Sequence, residues 1–472
     1  ALFSFPTVRR APCPAMQRAR QLVAPEGTGS LLSCVLSPHD GGSSLAVGGE
    51  NASAVVFDLR GSNLVAHHLT AAVGCFGVGE AVPCVGHNPL APHLLYCASG
   101  ATVTAWDLRC LPAGTRNGGG YARSFPRDDA KDESFVFGTH ETSNNRENNQ
   151  GSSTGGSTHT TPLHVYAHNV DEINHFVIDS NGNNLYAADD SGCVAVVGIG
   201  DRSGGKNGVL KKTLKGAPSG HANICSSVSL RPHKPTEVVT GGLDACVCRW
   251  ENHKSVPVTK WNITRLVGEH AEREAAAEAE AEGTDVASRV SPSQMMNPPF
   301  VHCVATWSCK SDPSVPHVRR IAAAACGDGT VALLDLDAGG SDKKSKKEKN
   351  SKKKANENFP PCAFLGRGEL GTPHATATSH VCFPGWGDGE ILVSGGNDRV
   401  IKIWRWGRAF GNGVLGPEPQ PNQSECNPME HSFLHGRKVN WVAHSDSRAA
   451  APGGGHVFVC DTSEKITGYV VT

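Results

Sequence analysis

Short apolar runs alternate with turn residues along most of the chain, and one arrangement of these runs recurs. Each copy has an apolar strand with small residues and a second strand that ends in Ala/Ser-Gly or in a turn containing Asp. A third strand then closes on an aromatic or aliphatic residue followed by a polar one. Runs of this length separated by turn residues are typical of an all-β repeat protein. The pattern therefore predicts repeated β-sheet units rather than a helical fold.

The two clearest copies share one spacing between an Asp and a Trp. In EVVTGGLDACVCRW, Asp244 precedes Trp250 by six residues, and in ILVSGGNDRVIKIWRW, Asp398 precedes Trp404 by six. In a WD-repeat blade the turn Asp joins a hydrogen-bond chain through a histidine, a Ser or Thr and the Trp indole. We therefore predict that a structural network fastens these blades, with the members His221, Asp244, Trp250, Asp398 and Trp404.

Five weaker copies complete a set of seven closing strands. The strands close on Phe57, Trp106, Val197, Trp250, Leu334, Trp404 and Tyr469. Successive closing positions lie 49 to 91 residues apart, whereas one WD unit needs about 40 to 45 residues. We therefore predict an all-β, seven-bladed WD-repeat β-propeller over residues 20–472. The excess length is assigned to long disordered inserts at about 111–162, 267–298, 338–360 and 407–430.

The composition of the inserts agrees with this assignment. The stretch NNRENNQGSSTGGSTHTT is too polar to bury a core. The segment AEREAAAEAEAEG, from Ala271, predicts an exposed acidic helix between blades four and five. Eight lysines from Lys343 to Lys354 fit a solvated insert, a nuclear import signal or a weak phosphate-binding tail.

Residues 1–19 are predicted to form an N-terminal extension. Their Arg-rich sequence contains no acidic residue before Glu26, which fits an organelle leader. Alternatively, residues 1–15 are an upstream gene-model fragment, because Met16 lies just ahead of the first patterned strand. The last blade ends with its third strand near Thr472. We therefore expect residues around Arg20 to Ala24 to supply the fourth strand and close the ring.

Composition narrows the function classes. The 44 basic and 45 acidic residues nearly balance, so no global field favours nucleic acid or a membrane. No apolar run approaches the about 18 residues that a membrane span needs. The 17 cysteines include no CxxC pair, which favours a cytoplasmic or nuclear location. We expect a monomeric propeller whose partners are proteins.

The sequence offers little catalytic chemistry. It contains no HExxH, Walker A, GxSxG or dinucleotide-binding motif, so we expect no enzyme activity and no cofactor. Cys246 and Cys248 alternate on one strand, which leaves a metal conceivable. The preferred interpretation is two small apolar thiols packed in a sheet, with no metal site. His221 and Asp244 are likewise assigned to structure rather than to catalysis.

Several longer strings carry a family resemblance. They are VDEIN at Val170, HANICSSVSLRP at His221, GGLDACVCRW, the NP at Asn297, GGND at Gly395 and HGRKVNW at His435. Over most of the propeller these strings resemble the WD repeat-containing protein 53 family of WD-repeat propellers. The resemblance does not extend to the first 15 residues or to the polar inserts.

The resemblance implies an adaptor protein, a substrate receptor of cullin-4 RING ubiquitin ligases that binds through their damaged-DNA-binding adaptor subunit. Such receptors carry a W-D-x-R string at the end of a blade. The string is matched by Trp106, Asp107, Leu108 and Arg109, and a close variant consists of Phe57, Asp58, Leu59 and Arg60. An Arg held beside an Asp at a strand end would offer a guanidinium fork to carboxylate or carbonyl groups.

Two other interpretations remain open. In the first, Arg60 and Arg109 simply lie exposed on a solvated rim of the propeller and bind no partner. At the level of the whole protein, the alternative function is a structural scaffold in a stable nuclear or ciliary assembly, with no link to ubiquitin. A scaffold of that kind would depend on the inserts rather than on the arginines.

Overall fold

The described residues fold into seven four-stranded antiparallel sheets arranged as the blades of a β-propeller, as the repeat pattern predicts. The structure is a computed structural model. It describes residues 16–38, 42–60, 64–70, 76–77, 79–111, 161–200, 208–282, 297–308, 316–338, 362–367, 370–406, 428–445 and 455–471.

Each of the first four blades is formed by consecutive strands, which follow one another from the innermost to the outermost. Blade one consists of β2 (Leu31–Leu36), β3 (Ser44–Gly49), β4 (Ser53–Asp58) and β5 (Leu64–Thr70). Blade two consists of β6 (Cys84–Asn88), β7 (Ala91–Ser99), β8 (Thr102–Asp107) and β9 (His164–Tyr166). Blade three consists of β10 (Ile173–Ile178), β11 (Asn184–Asp189), β12 (Val194–Gly198) and β13 (Val209–Leu214). Blade four consists of β14 (Cys225–Leu230), β15 (Glu237–Gly242), β16 (Cys246–Glu251) and β17 (Thr259–Asn262).

The remaining blades follow the same order, except that the last one combines the two ends of the chain. Blade five consists of β18 (Val301–Thr306), β19 (Ile321–Cys326), β20 (Val331–Asp335) and β21 (Cys362–Leu365). Blade six consists of β22 (Thr378–Cys382), β23 (Ile391–Gly396), β24 (Val400–Arg405) and β25 (Met429–Leu434). Blade seven consists of β26 (Val439–His444), β27 (Gly455–Asp461), β28 (Lys465–Val471) and β1 (Met16–Val23). All seven predicted closing residues lie on the third strand of their blades.

The N-terminal strand closes the ring. β1 pairs antiparallel with β28, from Met16 opposite Val471 to Val23 opposite Lys465. The strand expected around Arg20 therefore begins at Met16, inside the predicted 1–19 extension, because the edge of β28 continues to Val471. Leu22 is buried between blades seven and one.

The apolar core is divided into seven clusters, and each cluster fills the space between two neighbouring blades. Both faces of every sheet are therefore buried, which explains why the second strands are rich in small apolar residues such as the IAAAAC of β19. The consequence is that each blade supports two others. The innermost strands surround a central channel, and β26 lies beside β2.

The strand order defines two faces of the ring. Because strands alternate in direction within every blade, all innermost strands begin at one face, which we call the upper face. All third strands end at the opposite face, which we call the lower face. Turns between second and third strands lie at the upper face.

The predicted acidic helix is present, but its start differs from the predicted insert boundary. Helix α1 spans Ile263–Glu282 and begins directly after β17. Its first residues, Ile263, Leu266 and Val267, are buried against blades four and five. The helix thus begins four residues before the approximate insert boundary at 267, because its first turn packs on the core. Within the described ranges, no helix combines the length and apolar character needed to cross a membrane.

The other predicted inserts are described only at their edges. Residues 112–160, 283–296, 339–361 and 407–427 lie outside the described residues, and so does the lysine run from Lys343 to Lys354. β25 begins at Met429, within the predicted 407–430 insert, because Met429 pairs with Trp404 of β24.

Candidate interaction site on the blade one and blade two rim

Blade four contains the hydrogen-bond chain that its Asp and Trp spacing predicts. The Nε1 group of Trp250 donates to Thr240 Oγ1 at 2.8 Å. His221 Nε2 lies 2.7 Å from Thr240 Oγ1, and His221 Nδ1 lies 2.9 Å from Asp244 Oδ1. A neutral imidazole with its proton on Nδ1 accepts from the Thr hydroxyl and donates to the carboxylate. Every polar group in this chain is thus satisfied, which indicates a structural role.

Blade six repeats the same chain. His374 Nδ1 lies 3.0 Å from Asp398 Oδ1, and its Nε2 lies 2.9 Å from Ser394 Oγ. The Nε1 group of Trp404 donates to the same Ser394 hydroxyl at 2.9 Å. His374 was not among the residues predicted for this network. It could have been found from its position, because His374 precedes Asp398 by 24 residues and His221 precedes Asp244 by a similar 23 residues.

The two turn carboxylates stay ionised. Burial would raise the pKa of Asp244, but hydrogen bonds from His221 and from the backbone of Ala222 outweigh burial and hold the pKa well below its ordinary value. The pKa of Asp398 is lowered by the same balance, with His374 as the main donor. Each blade is therefore tied by a charge-assisted bond rather than by a neutral one.

Blades two and seven use different side chains for the same purpose. In blade two, Trp106 Nε1 donates to Thr104 Oγ1 at 2.9 Å. In blade seven, His435 bridges the hydroxyl of Tyr469 at 2.7 Å and Asp461 Oδ2 at 2.9 Å. Tyr469 therefore replaces the Ser/Thr and Trp pair, which is why the Asp and Trp spacing did not reveal the hydrogen-bond chain of this blade.

The two strings predicted to bind an adaptor form matching turns at the lower face. In blade one, Asp58 Oδ1 accepts from the backbone N of Arg60 at 3.0 Å. In blade two, Asp107 Oδ1 accepts from the backbone N of Arg109 at 2.9 Å. Blades one and two are neighbours in the ring. The lower face thus presents two copies of one turn side by side, which we call the paired-arginine rim (Asp58, Arg60, Asp107 and Arg109).

Each arginine side chain folds back onto its own aspartate. The guanidinium fork that was predicted to face a partner is therefore partly used within the turn. Arg60 donates through Nε and Nη2 to the two oxygens of Asp58, each at 2.9 Å. Arg109 donates through Nε at 3.0 Å and Nη2 at 2.7 Å to Asp107. The arginine side chains nevertheless remain 64% and 54% exposed. A partner would therefore meet two ordered guanidinium groups whose Nε and Nη2 edges are already occupied.

The predicted aromatic members of the site lie beneath this rim. Phe57 and Trp106 are each 0% exposed. They point into the cores on either side of blade one, because they precede the outward-facing aspartates on their strands. They cannot contact a partner directly, and they support the rim only from within.

Electrostatics hold the turns in place. The hydrogen bond from Arg60 lowers the pKa of Asp58 against the opposing effect of burial. For Asp107, burial acts first to raise the pKa, and the bonds from Arg109 outweigh it and lower the pKa. Arg20, expected only as part of the ring-closing strand, also contacts this rim: its Nη1 donates to the carbonyl of Leu59 at 2.5 Å. Strand β1 therefore braces the blade one turn from blade seven.

Blade five has the same turn, but an acidic residue occupies the position that is arginine in blades one and two. Asp335 Oδ1 accepts from the backbone N of Asp337 at 2.9 Å, so Asp337 stands where blades one and two carry arginine. Its Oδ1 is bound by Arg231 at 2.9 Å and by Lys234 at 2.7 Å, both from blade four. This turn serves contact between blades, whereas the paired-arginine rim faces outward.

The two alternating cysteines of blade four are packed in the sheet. Cys246 and Cys248 are 3% and 0% exposed, and burial raises the pKa of Cys246 to about 12. In the part of the chain that the structure describes, no three His, Cys, Asp or Glu side chains are grouped as metal ligands would be.

Comparison with known proteins agrees with the repeat geometry. Residues 371–405 match the family described as WD domain, G-beta repeat, and this stretch contains the His374, Ser394, Asp398 and Trp404 chain of blade six. The chain is also similar to the WD repeat-containing protein 53 homolog of Dictyostelium discoideum, with 22% identity over 305 residues, which cover 64% of this chain and 68% of that protein. The described residues thus form a seven-bladed β-propeller with one stretch that matches the WD domain, G-beta repeat family, and the chain is similar to a WD repeat-containing protein 53 homolog.

Proposed function

We propose that this protein is a substrate receptor that docks a cullin-4 RING ubiquitin ligase, through its damaged-DNA-binding adaptor subunit, on the paired-arginine rim. WD-repeat propellers are platforms for protein binding and are typically not catalytic. A substrate would then be held on another surface of the same ring. Propellers suit this division because a rigid ring keeps separate binding surfaces in a fixed relation.

The observation that carries the proposal is the duplication of one exposed turn on adjacent blades. Arg60 makes two side-chain bonds to Asp58 and Arg109 makes three to Asp107, so their rotamers are ordered before a partner arrives. Ordering a long side chain on binding costs about 0.5–1.5 kcal/mol, and this rim avoids most of that cost. Arginine is also among the residues that most often dominate binding energy.

The test is the affinity of the purified adaptor subunit for the intact chain and for the variant Arg60→Ala with Arg109→Ala. Loss of an important interface arginine costs about 2 kcal/mol or more, and every 1.4 kcal/mol is about tenfold in affinity. Two such losses together cost about 4 kcal/mol, so we expect binding to weaken by roughly 700-fold. Circular dichroism should stay unchanged, because both side chains are exposed.

A matched control lies at the same face. Arg320 pairs with Asp335 on blade five, and its side chain is 40% exposed. Arg320→Ala therefore removes a comparable arginine and aspartate pair outside the proposed site, and it should leave the affinity unchanged. Equal affinity of the double variant and the intact chain would remove the receptor proposal and leave the scaffold as the better description.

A further inference from the structure

The mouth of the central channel at the upper face has a repeated backbone geometry. In five blades of the described structure the residue just before the innermost strand accepts a backbone hydrogen bond from the turn between the second and third strands. The acceptors are the carbonyls of Ser30, Glu172, Ile224, Phe300 and Ala377, at 2.9, 3.0, 2.9, 2.8 and 2.9 Å. These bonds fix the chain around the mouth, so the side chains next to them stand at defined places.

Trp441 of blade seven spans the channel below this mouth. Its ring centroid lies 4.1 Å from that of His380 on the neighbouring blade six. It also lies 5.3 Å from that of His175 on blade three, across the ring. Burial lowers the pKa of His175 to about 4 and that of His380 to about 3. At neutral pH the floor of the mouth is therefore aromatic and uncharged.

Opposite charges stand on the two sides of this mouth. Asp171 and Glu172 precede the innermost strand of blade three, and Arg437 and Lys438 precede that of blade seven. All four residues are exposed. Within the described part of the chain, none of them belongs to an ion pair. The contact between Trp441 and His175 shows that these two blades face each other across a narrow gap.

Two further observations describe the surroundings. Val170 is 85% exposed beside Asp171, and Phe300 of blade five is 39% exposed, so the mouth also offers apolar surface. Burial, and then the positive charge of Lys438, keep the pKa of His302 on blade five below its ordinary value. Lys438 therefore lies close enough to influence the innermost strand of blade five.

We propose that this bipolar mouth (Asp171, Glu172, Arg437 and Lys438) binds an extended peptide segment of a partner protein that carries both basic and acidic side chains. The basic end of the segment lies over blade three and its acidic end over blade seven. A nucleic acid or an anionic lipid surface fits poorly, because Asp171 and Glu172 would repel it. The site lies on the face opposite the paired-arginine rim, so it does not depend on adaptor docking.

The test begins with selection from a displayed library of random twelve-residue peptides on the purified intact chain. We expect the enriched peptides to combine basic and acidic positions with apolar ones. The most enriched peptide is then synthesised, and its affinity is measured by fluorescence anisotropy. Asp171→Asn with Glu172→Gln, and separately Arg437→Gln with Lys438→Gln, should each weaken binding at least about tenfold, which corresponds to about 1.4 kcal/mol.

A charge swap supplies the sharper readout. The variant Asp171→Lys, Glu172→Lys, Arg437→Glu and Lys438→Glu should lose the selected peptide and bind a copy in which every charged residue is reversed. The variant Arg320→Ala is the control on the lower face, outside both proposed sites, and should bind the original peptide unchanged. The proposal is overturned by selection without enrichment, by peptides of a single charge sign, or by neutralised variants that both bind as tightly as the intact chain.

Discussion

Replacing Thr240 with Val removes one hydroxyl from the centre of the blade four chain and keeps the shape of the side chain. That hydroxyl accepts from Trp250 Nε1 at 2.8 Å and lies 2.7 Å from His221 Nε2. Trp250 is 0% exposed and His221 is 1% exposed, so neither nitrogen can turn to water instead. A buried polar group left without a partner costs about 1–3 kcal/mol. Two such groups should therefore lower the free energy of unfolding by about 2–6 kcal/mol.

Thr378 supplies a matched control. It is also 0% exposed, but its Oγ1 has no hydrogen-bond partner within the described residues. Thr378→Val therefore removes a buried hydroxyl without stranding a second group, and replacing such a group by an apolar one is nearly neutral or stabilising. The two substitutions change the same atoms in two strands of the same fold, and they differ only in the bonds that are lost.

The assay is equilibrium unfolding in urea, followed by circular dichroism and by tryptophan fluorescence. A change in the midpoint with an unchanged slope reports a change in stability, and agreement of the two signals tests for a single transition. The reasoning is refuted if Thr240→Val destabilises the protein no more than Thr378→Val does.

Three more outcomes follow from the structure. Because burial lowers the folded-state pKa of His175 to about 4 and of His380 to about 3, unfolding takes up protons below about pH 6.5, the usual pKa of histidine. The urea concentration at the midpoint of unfolding should therefore decrease as the pH is lowered from 7 towards 4, and it should decrease less in the variant His380→Phe. A midpoint that does not change with pH would contradict this. Leu22 is 1% exposed and Val23 is 42% exposed, so Leu22→Ala should cost about 2–5 kcal/mol and Val23→Ala within about 0.5 kcal/mol in the same assay. Iodoacetamide should label the exposed Cys110 well before Cys246, whose pKa is about 12, and peptide mass mapping that finds the reverse order would contradict the burial of Cys246.

The sequence by itself determined the architecture of this protein. Seven closing strands could be counted because every blade is a sheet packed on both faces and therefore needs strands rich in apolar residues. Long inserts between the strands do not change that pattern. The blade four chain was predictable for a local reason. His221, Asp244 and Trp250 lie within a single repeat, so their spacing along the chain reflects their spacing in space.

Tertiary structure decided the features that join distant parts of the chain. Arg60 and Arg109 fold back onto their aspartates because of the geometry of the turn, and the D-x-R string does not determine that geometry. The brace from Arg20 to the Leu59 carbonyl exists only because β1 completes blade seven beside blade one. The contact of Trp441 with His175 joins residues from opposite sides of the ring. No periodicity along the chain encodes such pairs, because only closure of the ring brings these blades together.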